Sequence, residues 1–347
     1  MAATATEKTF DIPKTHKAVV YDQPGTISTK VVELETPEPG PGDVLVRLTH
    51  SGVCHSDMGV MENSWRGLPY PTQAGQVGGH EGVGIVYKLG PGSENGTVKV
   101  GDRVGIKWIA YACGAYPGTF QQYALAPASY VTPIPEALKS EDAAPMLCAG
   151  VTTYSALRRS DAKSGEWVVI SGAGGGLGHL ACQIGSRGMA LRIIGIDHGS
   201  KEQLVKDCGA EAFIDITKFD DKTIAEEVKK VTGGLGAQAV VVCTASNRAY
   251  AQALDFLSFG GTLVCVGMPE GDFVPIAKSF PAALVAGEHV IKGSSVGNRR
   301  EALEVLDMAA RGLVKTHFRI EKMEQLTEVF QEMSGGKMLG RVVLDLQ

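Results

Sequence analysis

Three short segments of the chain carry side chains that can bind a metal ion. Cys54 lies in SGVCHSD, His80 in VGGHEGVG and Cys148 in APMLCAGVTTY. Two thiolates and one imidazole from three separate segments suit a catalytic zinc, whose fourth position stays open for water or substrate. Taken singly, such a cysteine or histidine is more often a packing residue. The combination is compatible with a metal centre, and the wider order of motifs along the chain decides between these two interpretations.

A second group of residues suited to chemistry is the glycine-rich segment SGAGGGLG at 171–178. It follows the strand-like run EWVVI and precedes a helical pattern, which is the context of a dinucleotide-binding turn. Glycines there let backbone N–H groups reach a pyrophosphate at the N-terminus of the helix. The register that starts at Gly172 lacks its closing glycine because Leu177 takes that place, so we prefer the register that starts at Ala173. The candidate cofactor-binding residues of the turn are Ala173, Gly174, Gly175, Gly176, Leu177 and Gly178.

The next strand-like run, RIIGID, ends at Asp197. This position is about 20 residues beyond the turn, where a carboxylate accepts hydrogen bonds from the adenosine ribose. A carboxylate there would repel a 2′-phosphate, so we predict NAD(H) rather than NADP(H), with Lys201 beside the ribose or a phosphate. The alternative is an ordinary glycine-rich turn followed by a solvated aspartate, which the succession of strand, glycines, helix, strand and acid disfavours.

The elements that must position these residues change character along the chain. Residues 17–50 contain short β-branched runs between proline–glycine turns, which is typical of antiparallel strands. From about residue 140, strands and helices alternate as they do around a parallel sheet. We predict an α/β protein with a β-rich domain and a doubly wound domain, and we expect the last strand, GRVVLDLQ, to return to the first domain. The predicted bounds are 1–158 with 296–347 for the first domain and 159–295 for the second.

Composition excludes several classes of protein. The 347 residues include 38 acidic and 33 basic side chains, and no basic stretch predicts a nucleic-acid surface. The apolar runs are shorter than the ~20 residues of a membrane helix. The N-terminal segment has neither an apolar signal core nor an arginine-rich pattern, so we expect a cytoplasmic protein. Seven cysteines without a close pair argue against a disulfide framework.

The order of motifs along the chain resembles that of a known family. The motifs are GVCHSD, GGHEGVG, GIKW, TFQQYA, LCAGVTTY, SGAGGGLG, GIDHG, VGMP, GSSVGNR and LGRVV. They resemble those of the zinc-dependent medium-chain alcohol dehydrogenases, especially the microbial tetrameric branch, from about residue 15 onward. The resemblance implies a GroES-like catalytic domain, a Rossmann cofactor domain, and hydride transfer between NAD(H) and a small to medium alcohol, aldehyde or ketone.

The resemblance also implies roles around the metal. It makes Glu81 an alternative ligand, and Asp57 looks like the carboxylate that orients a ligating imidazole. Ser56 occupies the position of the hydroxyl that hydrogen-bonds the substrate alcohol and receives its proton. The zinc ligands that it implies are Cys54, His80 and Cys148.

Further implied roles concern the cofactor and the substrate. His55 and Arg341 resemble residues that neutralise the cofactor pyrophosphate, and Met268 resembles a neighbour of the nicotinamide. Trp65 and Trp108 would form part of the substrate pocket. Outside their motifs, Arg341, Met268 and Trp65 would be interpreted as ordinary surface or packing residues.

The chain departs from the family in the connection between GIKW and FQQYA. The family normally has a lobe there with four cysteines that bind a structural zinc, whereas this chain has IAYACGAYPGT with the single Cys113. One thiol cannot hold a structural zinc. We therefore predict one catalytic zinc per chain and no structural zinc.

A second departure is Gly59, where close relatives commonly have the histidine that ends the proton relay through Ser56. Glycine cannot accept a proton, so we expect alcohol oxidation to be slow near neutral pH and faster at higher pH. We also expect Gly59→His to raise oxidation at neutral pH. Glu62 is a possible substitute for the histidine, although a solvated glutamate is the simpler interpretation.

The predicted parallel sheet bears on assembly, and the metal-binding residues bear on alternative functions. Edge strands of an open parallel sheet expose backbone groups that a symmetric partner can cover, and by family analogy we expect a homodimer or homotetramer. The alternatives are a zinc-free quinone or enoyl reductase, a specialised-metabolite reductase and a non-catalytic NAD-binding protein. The three metal-binding side chains argue against the zinc-free reductase.

Overall fold

The computed structural model describes residues 9–65, 71–94, 96–108, 116–336, 338 and 340–347. Its strands are β1 Thr15–Tyr21, β2 Thr29–Glu35, β3 Asp43–Val53, β4 Glu81–Leu89, β5 Arg103–Lys107, β6 Tyr123–Pro127, β7 Thr132–Pro133, β8 Trp167–Ser171, β9 Arg192–Asp197, β10 Ala212–Asp215, β11 Ala237–Val242, β12 Leu257–Cys265, β13 Val290–Gly293, β14 Phe318–Lys322 and β15 Arg341–Asp345. Its α-helices are α1 His55–Met61, α2 Ser140–Ala143, α3 Ala149–Arg159, α4 Gly178–Gln183, α5 Glu202–Asp207, α6 Thr223–Val231, α7 Asn247–Ala253, α8 Pro281–Gly287, α9 Arg299–Ala310 and α10 Leu326–Ser334. None of these helices is long and apolar enough to cross a bilayer.

The chain divides into two compact units. The first unit contains residues 1–148 and 318–347, and the second contains residues 149–317. The predicted bounds place nearly all of α3 and all of α9 in the first domain. This division places both helices in the second unit. These helices are tied together where Tyr154 of α3 donates a hydrogen bond to Glu304 of α9 at 2.7 Å.

The first unit is built on a mostly antiparallel sheet. Its strand order is β14-β15-β3-β4-β5-β7, and β6 also pairs with β3. Strand β3 is central because β15 and β4 pair with it in antiparallel fashion. A Cβ at Gly84 of β4 would lie 2.2 Å from the carbonyl oxygen of Arg47, so glycine permits the close approach of β4 to β3. The C-terminal strand β15 lies in this unit, as the sequence indicated.

The core of the first unit follows the alternation of its strands. Val44, Val46 and Leu48 of β3 are buried in one cluster with Val342 and Leu344 of β15. β-branched residues suit a pleated surface that is covered by other side chains. This packing fixes the ends of β3 and β4, which precede and follow the predicted metal-binding residues.

The second unit is a parallel sheet with strand order β10-β9-β8-β11-β12-β13. The chain runs outward from β8 through β9 to β10, then returns to the other side of β8 through β11. Ligands of such sheets bind at the carboxyl ends of the strands where the order reverses. The predicted fold class, an α/β protein with a β-rich part and a doubly wound part, is confirmed.

Candidate metal centre and cofactor turn

Three connections bring the predicted metal-binding residues together. Cys54 directly follows β3, and His80 directly precedes β4. Because β3 and β4 are antiparallel neighbours, the end of one lies beside the start of the other. Cys148 follows a short 3₁₀-helix, Ala144–Leu147. The ligand atoms of Cys54, His80, Glu81 and Cys148 all lie within 4.8 Å of one another, and all four residues are buried.

Asp57 orients two members of this cluster. Its Oδ1 lies 2.8 Å from Nδ1 of His80, and its Oδ2 accepts a hydrogen bond from the backbone N–H of Cys54 at 2.9 Å. With Nδ1 directed to Asp57, Nε2 of His80 points into the cluster and lies 3.9 Å from Oε1 of Glu81. A carboxylate behind an imidazole fixes its tautomer and raises its basicity as a metal ligand.

Glu81 and Arg341 form a buried ion pair at the same place. Arg341 of β15 donates a hydrogen bond to Oε1 of Glu81, and the two side chains are 5% and 0% exposed. Oε2 of Glu81 is buried without a hydrogen-bond partner among the described residues. A Cβ at Gly52 would lie 1.9 Å from this oxygen, so glycine leaves room for the carboxylate.

The cofactor turn follows β8 as the sequence predicts. Gly172 has φ +81°, and a Cβ at Gly178 would lie 2.1 Å from the carbonyl oxygen of Gly172. At Gly175 a Cβ would meet only one ordinary contact, at 3.4 Å. Glycine is therefore required at Gly172 and Gly178 but not at Gly175, which the preferred register uses as its second position after Ala173.

Asp197 at the end of β9 is bonded to this turn. Its Oδ2 accepts a hydrogen bond from the backbone N–H of Gly174 at 2.8 Å, and Nζ of Lys201 lies 3.5 Å from its Oδ1. A Cβ at Gly174 would lie 2.7 Å from the Lys201 side chain. The predicted ribose-binding acid, the turn and the lysine therefore form one group at the carboxyl ends of β8 and β9.

Comparisons with known proteins agree with both groups of residues. Residues 40–136 match the model of the alcohol dehydrogenase GroES-like domain, and residues 176–311 match that of the zinc-binding dehydrogenases. Alcohol dehydrogenase 2 of Emericella nidulans is 60% identical over 97% of this chain and 99% of its own length. The chain belongs to the zinc-dependent medium-chain alcohol dehydrogenases. It is an oxidoreductase of the alcohol dehydrogenase type, which confirms the family and activity that the motifs implied.

Two other alcohol dehydrogenases extend the likeness. The alcohol dehydrogenase of Schizosaccharomyces pombe is 40% identical over 95% of this chain and 97% of its own length. The solved structure of an NAD-dependent alcohol dehydrogenase has a TM-score of 0.82 at 25% identity, covering 95% of this chain and 100% of that one. The likeness therefore covers both units of this alcohol dehydrogenase.

The side chains of the metal cluster shift one another's pKa values in this dehydrogenase. A hydrogen bond from the Cys148 thiol lowers the pKa of Cys54 well below its ordinary value, and the same bond raises the pKa of Cys148. Burial raises the pKa of Glu81 to about 7, although Arg341 opposes this shift. Burial disfavours the charged form of His80, but Asp57 and Cys54 together outweigh this effect and the pKa of His80 is raised. The cluster thus favours one thiolate and retains protons that a bound cation would displace.

The donor set fits a zinc ion. Two sulfurs and one imidazole nitrogen are the ligands that zinc prefers, and a carboxylate oxygen is a further accepted ligand. The four groups converge at a buried site, and Oε2 of Glu81 offers a buried oxygen without a protein partner among the described residues.

Some of the residues expected near the substrate lie beside the metal cluster. Oγ of Ser56 lies 3.5 Å from Sγ of Cys54. The Trp108 ring packs edge-on against His80 with centroids 4.6 Å apart, and Trp65 lies 6.0 Å from Trp108. His55 is exposed, and Met268, which follows β12, is 50% exposed.

The structure corrects the expectation for Gly59. A Cβ at this position would lie 2.7 Å from Nε1 of Trp65, and the indole therefore fills the space of a residue-59 side chain. Gly59→His cannot supply a relay base while Trp65 keeps this position. No sequence pattern indicated this packing, because Trp65 lies six positions after Gly59 and no motif links the two residues.

Sequence reasoning also missed the pairing of Arg341 with Glu81. The motif resemblance assigns Arg341 to the cofactor pyrophosphate, and in the structure its described hydrogen bond goes to Glu81. The separation of these residues along the chain hid this contact. Cys113, the loop cysteine on which the absence of a structural zinc was argued, lies outside the described residues.

Proposed function

We propose that this alcohol dehydrogenase transfers a hydride between NAD(H) and a small to medium alcohol or the corresponding aldehyde or ketone. The buried convergence of Cys54, His80, Glu81 and Cys148 carries the proposal, because it supplies a zinc site in the unit that matches the alcohol dehydrogenase domain. The first unit is assigned the metal and the substrate, and the second unit is assigned the cofactor.

The residues around the cluster have separate roles in binding the metal and in accepting the proton. Cys54, His80 and Cys148 would hold the zinc, with Glu81 as an alternative ligand. When bound, zinc supplies Lewis-acid chemistry that lowers the pKa of an alcohol. The Ser56 hydroxyl would accept the substrate proton while it releases its own proton to water.

The supporting residues maintain this arrangement. Asp57 holds the His80 ring in the tautomer that presents Nε2 to the cluster. The Trp108 indole covers the His80 ring, and it forms with Trp65 an aromatic wall that excludes water from the reacting groups.

The cofactor proposal is NAD(H) in preference to NADP(H). The Asp197 carboxylate supports it, since a 2′-phosphate would meet a negative charge beside the turn. Lys201 would contact the ribose or a phosphate, and Met268 the nicotinamide. The pyrophosphate would meet the backbone of residues 173–178, with His55 and Arg341 as neutralising side chains.

Metal content and assembly are also part of the proposal. We expect one zinc per chain, because the connection with Cys113 lacks the four cysteines of a structural site. A homodimer or homotetramer is supported by strand β13 at the end of the second sheet and by exposed apolar side chains near it, such as Val285 at 77% and Val290 at 41%. Light scattering that gives a monomer at micromolar concentration would contradict it. The cytoplasmic location stays a prediction.

One experiment tests the proposed function directly. Purified protein is assayed for bound zinc and for NADH oxidation with a panel of aldehydes and ketones. We expect about one zinc per chain and turnover of at least one carbonyl, and Cys54→Ser and Cys148→Ser are expected to lose both metal and turnover. Zinc-loaded, NAD-binding protein that turns over no alcohol or carbonyl would favour the non-catalytic alternative.

A further inference from the structure

A second aspartate stands beside the proposed ribose-binding acid. Asp215 ends β10 and is the register partner of Asp197, which ends the neighbouring parallel strand β9. Adjacent strands lie about 4.8 Å apart. Both carboxylates therefore stand at the same edge of the sheet, and each side chain is 12% exposed.

Hydrogen bonds keep Asp215 ionised. Its Oδ1 accepts from the backbone N–H of Thr217 at 3.0 Å, from the Thr217 hydroxyl at 2.8 Å and from the backbone N–H of Gly199 at 3.1 Å. These bonds, chiefly those from Thr217, hold the pKa of Asp215 below its usual value. Asp215 is therefore a permanent negative charge at neutral pH.

The loop after β9 is fastened to both carboxylates. The backbone N–H of His198 donates to Asp197 at 2.7 Å, and that of the next residue, Gly199, donates to Asp215. A Cβ at Gly199 would lie 2.3 Å from Oδ2 of Asp215, so the loop passes directly over this carboxylate. Asp215 thus holds the segment that leads to Lys201.

The local charges balance. Nζ of Lys201 lies 3.5 Å from Asp197, and Nζ of Lys218 lies 3.8 Å from Asp215. Each lysine is thus engaged by one aspartate, and the edge offers a phosphate no unbalanced positive charge from these four residues. Removing the charge of Asp215 would leave Lys218 available to a phosphate.

We propose that Asp215 is a second cofactor-specificity residue, which disfavours an adenosine 2′-phosphate together with Asp197 and holds the loop that carries Lys201. The inference rests on the proposed NAD(H) function of the turn. Asp215 lies one strand away from Asp197, a distance shorter than the Debye length of about 8–10 Å. Salt therefore screens the repulsion between Asp215 and a phosphate only in part. For a doubly charged phosphate at such a distance in a water-like dielectric, the expected effect is about threefold to fivefold in affinity.

The test compares Asp215→Asn with Asp197→Asn and the double variant. Asparagine keeps the oxygen that accepts from Gly199 and Thr217 but removes the charge. The readouts are kcat/KM with NADPH and NADH, and the dissociation constants of both cofactors from fluorescence titration. The ratio of the kcat/KM values for NADPH and NADH, measured on one preparation, does not depend on the fraction of folded protein.

We expect Asp215→Asn to raise the preference for NADPH over NADH about threefold to fivefold, and the double variant to exceed either single variant. We expect this gain in the preference for NADPH to be smaller at 0.5 M salt, because salt screens the repulsion. Asp255→Asn is the matched control, since this lysine-paired aspartate precedes β12 and lies at the amino end of the sheet. It is expected to leave the cofactor ratio unchanged.

The outcomes separate the two proposals. If Asp197→Asn shifts the ratio and Asp215→Asn does not, the role of Asp215 is overturned and the NAD(H) assignment stands. If the wild-type protein binds both cofactors equally and neither variant changes the ratio, the NAD(H) preference fails, and the role of Asp215 fails with it. If Asp215→Ala weakens both cofactors equally while Asp215→Asn changes nothing, Asp215 only supports the loop.

Discussion

Gly59 shows at the scale of single residues how packing limits the proton relay. With Trp65 in place, we expect Gly59→His to give no gain in alcohol oxidation at pH 7 and to lower stability by about 1–3 kcal/mol through overpacking. In the double variant Gly59→His with Trp65→Ala, space is available and neutral-pH oxidation should rise. Steady-state oxidation rates between pH 6 and 9, with thermal unfolding, measure both effects. A tenfold gain in the single variant would refute the steric argument.

Asp57 allows a second test at this scale. Asp57→Asn retains a side chain of the same shape but removes the charge behind His80, so zinc affinity should fall about 10–100-fold. Competition with a chromogenic chelator measures this affinity. Asp102→Asn is the control, because Asp102 is an exposed aspartate that likewise accepts a backbone hydrogen bond, from Lys99 at 2.8 Å. Equal zinc affinity of wild type and Asp57→Asn would show that the carboxylate does not support the metal.

The sequence could predict the residues with specific chemistry and could not predict their steric partners. Cys54, His80 and Cys148 were identifiable because thiols and imidazoles are recognisable metal ligands inside short motifs. The space that Gly52 leaves for Glu81 depends on strand pairing. A local sequence pattern does not indicate which side chains on different elements lie close together.

The cofactor turn provides a prediction at the scale of elements. In Gly178→Ala the new Cβ would approach the Gly172 carbonyl, so the start of α4 must shift away from β8. We expect weaker NADH binding and a loss of about 1–3 kcal/mol in stability. Fluorescence titration and denaturant unfolding measure these changes.

Gly175→Ala is the comparison for that variant, because a Cβ there meets only one ordinary contact. Its unfolding transition should stay close to that of the wild type. If both alanine variants unfold alike, the close approach at Gly178 does not decide the geometry of the turn.

Elements were predictable where the pattern was local. The alternation of strands and helices after residue 140 predicted the parallel sheet, and the terminal strand was correctly expected in the first unit. The parallel pairing of β14 with β15 and the additional pairing of β6 with β3 were not predicted. No tight turn joins the strands of either pair, and each strand alone is compatible with several neighbours.

At the scale of the whole molecule, His50 links stability to pH. Burial lowers the pKa of His50 below its ordinary 6.5, although Glu141 and Asp345 oppose the shift in part. The unfolded chain then binds a proton that the folded protein does not, so stability declines as the pH falls below 6.5. We expect the unfolding temperature to drop between pH 7.5 and 5.5, and His50→Gln to reduce this drop. The two proteins are compared with the same zinc content, and an unchanged drop in the variant would contradict the assignment.

The pairing of β15 with β3 has a consequence for biosynthesis. Four members of the metal cluster are synthesised by residue 148, but Arg341, which neutralises Glu81, follows almost two hundred residues later. A nascent chain on the ribosome therefore holds the thiols, the imidazole and a carboxyl group without its cationic partner. The ionic environment of these ligands is therefore complete only once β15 has been synthesised and has paired with β3.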